Sequence, residues 1–496
     1  MKWDNEDLFC HDLPSHPQPE IGKVLVTGAT GYIGGRLVPE LLSRGYLVRV
    51  MVRAISPEQG ELWPEAEIVA ADALEMKSLK GALEGIHTAY YLIHSLLLGQ
   101  KRFEAADIRA AINFRKAAEE QEVKRIIYLG GLGDTQTNLS AHLKSRAMVA
   151  HELWRGKVPT TVLRASIIIG SGSASYEIIQ HLVKKAPVLF IPKWARTKCQ
   201  PIGIRDVIKY LVGVLEVSET SGRSFDIGGR DILTYEMMLK ILAQLHGKKR
   251  LFISSPYSWL PFFAYLASLL SPVPAPIIRC LMEGVKNQVI CQNDTIKDVL
   301  PFQPITYREA LLRAMSREEQ DKVYTRWSDA YPPAHELAIK LGELEETPSY
   351  TSGSSLLTEK NASSLFCSIC KIGGKEGWFH SSWLWRLRGM VDRILMGVGT
   401  SRGRKNISGL RINDVIDFWR VEDLQYDERL LLRAEMKLPG RAWLEFRIDK
   451  GRHKNRFSVK AYYQPRGIFG KIYWYIFLPF HNFIFNDLIK QIDQIS

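Results

Sequence analysis

The chain has 496 residues, of which 46% are hydrophobic, 10% aromatic and 24% charged. This composition excludes a largely disordered protein, and the length predicts two or three domains. The net charge of +13 favours acidic partners such as a phosphorylated cofactor, an anionic membrane surface or nucleic acid, although a basic solvated surface explains it equally well.

The first twenty residues contain acidic residues and prolines, which predicts a polar tail at residues 1–20 and no secretory signal. Six cysteines without regular spacing are typical of a reducing compartment, so we predict a cytoplasmic protein. The uncharged segment 251–278 is long enough to span a membrane, but prolines interrupt and end it. A buried or interfacial hairpin is therefore favoured over a span, and peripheral membrane association stays open.

From residue 21 to about residue 201, short β-rich runs alternate with helical patterns, which indicates a doubly wound parallel sheet. Six runs are typical of buried strands: KVLVTG, LVRVMVR, EIVAAD, TAYYLIHS, RIIYLG and TTVLRASIIIG. Six such strands make a Rossmann sheet. The mixed segment from about 200 to 335 predicts the substrate side of the same domain, so we assign residues 21–335 to one α/β domain.

A charged stretch ends in Pro348 and is followed by TSGSS, which predicts a linker at residues 336–347. Residues 348–496 differ in character: a helical opening, an Arg- and Trp-rich segment, long strand-like runs and an apolar C-terminal helix. This order predicts an α+β domain in which a curved antiparallel sheet wraps a long helix around an apolar cavity.

Residues 27–34 have the sequence TGATGYIG, directly after the first predicted strand and at the start of a helix. Gly28 permits a tight turn, Gly31 lets the backbone approach a pyrophosphate, and Gly34 lets the helix pack against the strand. The helix N-terminus adds N–H donors and a positive dipole end. The predicted cofactor contacts of this turn are Gly28, Thr30, Gly31, Tyr32, Ile33 and Gly34.

Arg53 ends the second strand, where an NAD-specific protein usually presents an acidic residue to the ribose. Because a guanidinium binds phosphate oxygens, NADP(H) is favoured over NAD(H), with a solvated arginine as the alternative and Arg36 as a weaker second phosphate partner. Asp72 is placed to meet the adenine amino group, and His94 and Ser95 end the fourth strand near the nicotinamide ribose. For these three residues a capping or turn role is the simpler alternative.

These residues are similar to the atypical, NmrA-like branch of the extended short-chain dehydrogenase/reductase family, whose members share the T-G-x-x-G-x-x-G turn. The resemblance covers about residues 21–320. It rests on the glycine turn, on YYLIHS, on the helix containing Asn113 and on RDVIKYLVGVLE. It implies a Rossmann fold, a nicotinamide cofactor and a substrate cleft above the nicotinamide.

Active members of that family carry a tyrosine followed four residues later by a lysine, with a serine or threonine at the end of the fifth strand. Here Gly130 and Gly131 occupy the hydroxyl positions, and His142 and Arg146 stand at the Tyr-Lys spacing. With a pKa near working pH, His142 is a candidate proton donor, and Arg146 can hold the ribose or a phosphate. Alternatively, both residues serve helix packing in a domain that binds cofactor without redox chemistry.

The C-terminal part, with IGGKEGWF, WLWRLRGMVD and YWYIFLPFH, resembles a domain of unknown function fused behind such Rossmann domains. That domain is similar to the START or Bet v 1-like (SRPBCC) helix-grip class, which implies a cavity for a lipophilic ligand. Within this part, Cys367 and Cys370 predict core packing rather than a metal or redox site. Arginines around Trp383 and Trp385 favour either anionic head groups or an ion-paired network with nearby aspartates.

Three functions stay open from the sequence. The first is an NADP(H)-dependent oxidoreductase of a lipophilic carbonyl, enone or quinone. The second is a non-catalytic NADP(H)-responsive regulatory, scaffold or assembly protein, and the third is an NAD(P)-dependent epimerase or isomerase. A lipophilic small molecule is the expected partner, nucleic acid is not expected, no metal site is predicted, and the sequence does not define the oligomeric state.

Overall fold

A computed structural model of the chain describes residues 9–53, 55, 57–94, 103–133, 139–319, 325–327, 341–344, 348, 350–373, 377–378, 382–395, 397–400 and 410–496. The chain divides into two compact units. The first unit comprises Met1–Leu270 and Pro276–Pro333, and the second comprises Ser271–Ala275 and Ala334–Ser496.

The first unit is an α/β unit in which strands and helices alternate. Its strands are β1 (Lys23–Val26), β2 (Val48–Val52), β3 (Glu67–Ala70), β4 (Ile86–Tyr91), β5 (Arg125–Gly131), β6 (Thr160–Ala165), β7 (Ile168–Ile169), β8 (Val188–Ile191), β9 (Lys198–Cys199), β10 (Ile202–Gly203), β11 (Ser224–Ile227), β12 (Leu233–Thr234) and β13 (Leu251–Ser254). Its helices are α1 (Gly34–Ser43), α2 (Pro57–Leu62), α3 (Met76–Leu83), α4 (Phe103–Glu120), α5 (Ala141–Trp154), α6 (Ala174–Lys185), α7 (Ile204–Glu216), α8 (Tyr235–Leu245), α9 (Leu260–Leu270), α10 (Ala275–Gly284), α11 (Thr295–Val299) and α12 (Tyr307–Glu319).

Seven strands form the main sheet of this unit, in the order β11-β6-β5-β4-β1-β2-β3, and every pair is parallel. One face packs on α1 and α7, and the other on α3, α4 and α5. The predicted doubly wound parallel sheet is thereby confirmed, with β11 as a seventh strand that was not among the predicted runs. Because the strand order reverses between β1 and β4, a ligand crevice is expected outside their carboxyl ends.

Residues 9–20 pack against the first unit, so the predicted polar tail is wrong for this segment. Cys10 is fully buried, and its N–H donates to the Glu40 carboxylate at 2.9 Å. The Asp12 carboxylate lies 2.6 Å from Lys209 Nζ. The few apolar and acidic residues of this segment meet complementary partners far along the chain, which composition alone does not reveal.

The apolar segment 251–278 forms β13 and then two short helices, α9 and α10, with prolines between them. In α9, Leu260 and Ala264 are buried, whereas Phe262 is exposed. Among the residues that the structure describes, no helix is both long enough and apolar enough to cross a membrane.

The second unit is built on one antiparallel sheet. Its elements are β14 (Tyr350–Thr358), α13 (Ala362–Ile369), α14 (Ser382–Ile394), β15 (Val415–Ile416), β16 (Trp419–Gln425), β17 (Arg429–Ala434), β18 (Gly440–Asp449), β19 (Asn455–Pro465) and α15 (Gly467–Ile495). The strand order is β14-β19-β18-β17-β16-β15, so β15 to β19 form a meander and β14 returns beside the last strand. Helices α13 and α15 pack on this sheet over a separate hydrophobic core.

All six cysteines are free thiols. Burial raises the pKa of Cys199 and Cys280 to about 12, and burial also raises that of the partly buried Cys291 to about 12. The prediction that Cys367 and Cys370 both face the core is wrong for Cys367, which is exposed on α13. Cys370 packs against the core of the second unit.

His481 supplies a pH dependence to the second unit. Its ring lies 5.3 Å from the Trp474 ring and 5.5 Å from the Phe485 ring, and burial lowers its pKa to about 4. The unfolded chain, with a histidine pKa near 6.5, takes up its proton first as the pH falls. The stability that neutral His481 contributes is therefore complete above about pH 6.5 and is lost as the pH falls toward 4.

We expect His481→Phe to reduce the loss of stability of α15 between pH 7 and pH 5 by roughly 2 kcal/mol. Hydrogen exchange of the α15 amides, corrected for intrinsic rates, measures the opening free energy at both pH values. His453→Phe, at an exposed turn position, is the matched control and should keep the pH dependence of the wild type. An unchanged pH dependence in His481→Phe would contradict the assignment.

Candidate functional site

The glycine turn joins β1 to α1 and touches the end of β4. Gly28 has φ +63°, and a Cβ there would lie 2.7 Å from the Leu92 carbonyl oxygen. The Gly31 N–H donates to the Gly28 carbonyl at 2.9 Å and closes the turn. Both the left-handed backbone and the approach of Leu92 require glycine at position 28. The predicted role of Gly28 as the residue that permits the tight turn fits this geometry.

Two further glycines let α1 begin close to the turn. A Cβ on Gly34 would overlap the Gly28 carbonyl oxygen and lie 2.7 Å from Ala29 Cα, while one on Gly35 would lie 2.5 Å from Thr325 Cγ2. Gly31 has more room, since its Cβ would lie 3.1 Å from the Gly28 oxygen. The turn can therefore pack this tightly only with glycine at positions 28 and 34, and we call it the cradle because its N–H groups and the N-terminus of α1 are where a pyrophosphate is predicted to bind.

Thr27, which was not among the predicted site residues, fixes the edge of this cradle. Its hydroxyl donates to the Tyr90 carbonyl at 2.9 Å and accepts from the Leu92 N–H at 3.0 Å. The side chain thus pins the end of β4 to the end of β1. The sequence feature that could have indicated this role is the position of Thr27 at the start of the TGATGYIG motif.

The side chains of Tyr32 and Arg36 make contacts within the protein. The Arg36 guanidinium lies 4.2 Å from the centre of the Tyr32 ring and donates to the carbonyls of Tyr32, Thr325 and Ser171 at 3.2, 3.1 and 2.9 Å. Arg36 therefore holds the turn to distant segments of the chain. This arrangement counts against the interpretation of Arg36 as a second phosphate partner.

Arg53 and Asp72 lie beside each other at the ends of the paired strands β2 and β3. Partial burial lowers the pKa of Arg53, and the negative charge of Asp72 opposes that shift. Asp72 Oδ1 also accepts from the Leu74 N–H at 2.8 Å, which is the turn role that the sequence left as the alternative. Asn113, on α4, donates to the Leu74 carbonyl at 3.1 Å and holds the same loop.

The structure brings together two histidines that were predicted to have separate roles. His94 follows β4, His142 lies in the first turn of α5, and their ring centres are 5.1 Å apart. His94 Nδ1 lies 3.3 Å from Asp107 Oδ2, and the Ser145 hydroxyl donates to the same oxygen at 3.3 Å. Ser95, the other predicted residue at the end of β4, lies outside the described residues.

Burial keeps both imidazoles neutral. It lowers the pKa of His142 well below its ordinary value, and the neighbouring His94 and Arg146 lower it further. Burial also lowers the pKa of His94, and Arg146 adds to this shift against the opposing Asp107. The assumption of an unperturbed pKa for His142 is therefore wrong. His142 Nδ1 and His94 Nε2 are buried and have no hydrogen-bond partner among the described residues.

Arg146 is held against the end of β5. Its guanidinium donates to the Leu129 carbonyl and lies 5.2 Å from the centre of the Tyr128 ring, while the Tyr128 hydroxyl donates to the Arg146 carbonyl at 3.2 Å. These are the packing contacts of the alternative interpretation. The charge of Arg146 nevertheless acts on both histidines through their pKa values.

Asp107 was not predicted from the sequence, although a signal was present. It is buried on α4, on the helical face that continues with Ala110, Ala111 and Phe114. A carboxylate on an apolar helix face needs a partner, because burying an unpaired charge is unfavourable. In the sequence, His94, which follows β4, was the residue that could have been predicted as this partner.

Comparison with known proteins finds a matching family model for one segment of each unit. Residues 28–171 match a family model described as NAD(P)H-binding, and residues 346–488 match one described as a protein of unknown function, DUF2867. Residues 28–171 of the first unit, which contain the glycine turn and strands β2 to β7, are therefore similar to NAD(P)H-binding domains.

Relatives of the chain differ in what their names describe. It is 25% identical over 240 residues to NADH dehydrogenase (ubiquinone) 1 alpha subcomplex subunit 9, mitochondrial, of Arabidopsis thaliana, covering 47% of this chain and 60% of that protein. It is 31% identical over 118 residues to a 3 beta-hydroxysteroid dehydrogenase/Delta 5-->4-isomerase of Mycobacterium tuberculosis, covering 22% and 31%. It is 27% identical over 250 residues to the ceramide reductase of Caulobacter vibrioides, covering 47% and 74%. The chain thus spans less than two thirds of the first two relatives.

We expect Gly34→Ala to weaken NADPH binding at least tenfold and to destabilise the first unit by about 2 kcal/mol, because the new methyl group overlaps backbone atoms. Calorimetric titration with NADPH and denaturant unfolding measure the two effects. Gly81→Ala is the matched control: a Cβ there meets nothing within 4 Å, and the position lies inside α3. Alanine at 81 should keep cofactor affinity and stabilise the chain by up to ~1 kcal/mol. Equal affinities in the two variants would refute the proposed cradle.

Proposed function

We propose that the chain is an NADP(H)-dependent oxidoreductase that acts on a lipophilic carbonyl, enone or quinone. The observation that carries the proposal is the pair of neutral imidazoles, His94 and His142, whose ring centres lie 5.1 Å apart beside the end of β4. Leu92 at this same strand end contacts the glycine turn. Titratable groups with shifted pKa values next to a ligand crevice are typical of catalytic sites.

The cradle fits a dinucleotide, and each of its parts has a proposed task. The turn from Gly28 to Gly34 and the N-terminus of α1 would hold the pyrophosphate, and Arg53 would bind a 2′-phosphate. Asp72 would serve the adenine, and His94 would serve the nicotinamide ribose. When bound, the cofactor supplies or accepts a hydride at the nicotinamide ring.

His142 would act on the substrate oxygen as a neutral imidazole. One ring nitrogen donates a hydrogen bond to that oxygen, which stabilises the negative charge that develops during reduction. The other nitrogen can take up a proton while the first one releases its own, so the ring can relay a proton to the product alcohol. The proton that the ring passes on would come from water, and His94, held by Asp107 through Nδ1, would fix the position of the His142 ring by packing against it.

The positive charge of Arg146, which is held in a fixed position, helps to keep both histidines neutral. Its guanidinium is bound to the Leu129 carbonyl and lowers the pKa of both histidines. A neutral imidazole stays available as a hydrogen-bond donor throughout the physiological pH range. In this proposal Arg146 is a positioning residue, and it does not replace the family's lysine at the ribose.

A second candidate is a non-catalytic NADP(H)-responsive regulatory, scaffold or assembly protein. The observation that favours it is the loss of the family's hydroxyl group at Gly130 and Gly131, together with the packing role of Arg146. One relative is named as a subunit of NADH dehydrogenase and another as a photosystem II assembly factor, so the names of related chains include an assembly role beside reductases. An epimerase or isomerase has no specific support in the described site.

The second unit is proposed to bind a lipophilic ligand as a helix-grip domain. One strand, two helices, a five-stranded meander and a long C-terminal helix follow one another, and β14 pairs with β19 along its whole length. An antiparallel sheet packed against a long C-terminal helix is the arrangement that the sequence pattern predicts for this part of the chain. The core between the sheet and α15 contains apolar side chains such as Phe446, Phe457 and Phe485, which suit a lipophilic ligand.

We expect His142→Ala to lower deuterium transfer from 4-deuterated NADPH into a lipid extract by 10²-fold or more, with NADPH affinity unchanged. Mass spectrometry identifies the labelled product. His151→Ala, at an exposed position of the same helix, is the control and should keep the wild-type rate. Because the His142 pKa is lowered, the wild-type rate should not fall between pH 8 and pH 6.

Two results separate the candidate functions. Unimpaired transfer by His142→Ala would remove the proposed role of His142 while leaving an oxidoreductase. Tight NADPH binding with no labelled product from any extract would transfer support to the regulatory candidate.

The preference for NADP(H) is tested at Arg53. We expect Arg53→Ala to weaken NADPH binding about 10- to 100-fold and NADH binding less than threefold, because a charge-assisted phosphate contact contributes about 1.5–3 kcal/mol. Calorimetric titration with both cofactors measures this. Arg155→Ala is the control, since Arg155 is 65% exposed and its ion pair with Glu152 is long, at 3.6 Å. Arg44→Ala is unsuitable because the buried Arg44 pairs with both Glu40 and Glu216. An equal loss for both cofactors would refute the 2′-phosphate assignment.

A further inference from the structure

Helix α14 exposes an apolar stripe. Trp383, Leu387, Met390 and Ile394 are spaced by three to four residues and are between 44% and 62% exposed. The opposite side of the helix, with Trp385, is buried in the core of the second unit. The stripe therefore faces away from that core, on a helix whose other side is anchored.

The first half of α15 also has one exposed apolar side and one buried side. Its outward apolar side chains are between 49% and 80% exposed: Ile468, Phe469, Ile472, Tyr475, Ile476, Phe480 and Phe483. Gly470, Trp474 and Phe485 on the other side are buried. From Ile468 to Phe483 the helix extends over about 22 Å at 1.5 Å per residue. Such a continuous row of exposed apolar side chains is unusual, because exposed apolar residues on soluble proteins are normally scattered singly.

Both helices meet the turn between β17 and β18. Arg388 of α14 donates to the Lys437 carbonyl at 2.9 Å, and the Arg466 N–H, just before α15, donates to the Pro439 carbonyl at 2.8 Å. The Lys437 N–H in turn donates to Asp392 of α14 at 2.7 Å. The apolar stripe of α14 and the start of the α15 stripe therefore lie at the same end of the second unit, on either side of this turn.

The solvent-exposed charges of α14, residues 437–439 and the first half of α15 are basic. No acidic residue occurs between Arg466 and Asn486, and the one acidic residue of α14, Asp392, is fully buried. It accepts from the N–H groups of Lys437 and Gly399, so its charge is not presented to solvent. The lysines and arginines on these elements are Arg386, Arg388, Arg393, Lys437, Arg466 and Lys471.

We propose that this surface, formed by α14, residues 437–439 and the first half of α15, docks on an anionic lipid bilayer. Amphipathic helices with apolar and aromatic residues on one face and basic residues at its edge lie in the plane of the membrane interface. The basic residues attract anionic head groups, and the apolar stripes enter the acyl boundary. The helices lie on the membrane, since neither is long and apolar enough to cross it.

The test uses the full chain and vesicles of phosphatidylcholine, with or without 30 mol% phosphatidylserine, in a flotation assay. We expect binding to the phosphatidylserine vesicles that decreases as the salt concentration rises. Phe469→Glu combined with Ile476→Glu should lower the bound fraction at least tenfold. Lys471→Glu alone should lower it about fivefold or more, since each basic residue near an anionic surface contributes about that factor.

A matched control places the same charges on exposed apolar residues elsewhere in the second unit. Leu357 and Tyr426 are 68% and 75% exposed, and Tyr426 lies in the turn between β16 and β17, at the other end of these strands. Leu357→Glu combined with Tyr426→Glu should bind vesicles within twofold of the wild type. Circular dichroism and NADPH affinity verify that every variant is folded.

Three outcomes would overturn the proposal. The first is no binding of the wild type to either vesicle, and the second is an equal loss of binding in the control and in Phe469→Glu with Ile476→Glu. The third is a dimer, measured by light scattering without lipid, that Phe469→Glu with Ile476→Glu dissociates, because the stripes would then be covered by a second copy of the chain.

Discussion

The close approach of backbone atoms at the glycine turn is the constraint on which the first unit depends. Three missing Cβ atoms let three different segments come together: the end of β4 at Gly28, the start of α1 at Gly34 and Thr325 at Gly35. Thr27 and Arg36 then fix these segments by hydrogen bonds to carbonyl groups. These contacts hold the described wall of the crevice between β1 and β4 in place.

The histidine pair shows how such a frame can hold groups that are unfavourable by themselves. Two imidazoles beside an arginine cannot both be protonated in a buried site without a large cost, so the structure keeps them neutral. Asp107 orients one of the rings through its carboxylate, and the Arg146 charge is fixed by the end of β5. The pair is thus a preorganised polar group in an otherwise apolar region, which is the arrangement that both a catalyst and a redox-responsive switch require.

Local patterns predicted most of the first unit, and long-range contacts account for what they missed. The strands and the TGATGYIG turn depend on residues near each other in sequence, and the structure places each predicted run in a strand. Two details differ: β3 is not buried, and the sixth run divides into β6 and β7, which belong to different sheets. The contact of His94 with His142 joins two segments 48 residues apart and depends on the packing of β4 against β5, which no single motif contains. The same holds for Cys10, whose burial is set by α1 and α7. The prediction for Cys367 was wrong because only one side of α13 packs on the core, and Cys367 lies on the side that faces solvent.

The thiols described above have a practical consequence for spectroscopy. A thiol reacts with maleimides as the thiolate, and raised pKa values leave Cys199, Cys280 and Cys291 with almost none of it at neutral pH. Cys367 is exposed on α13, within the second unit. A fluorophore or spin label attached without any mutagenesis would therefore report from that unit, while the cofactor-binding unit stays unlabelled.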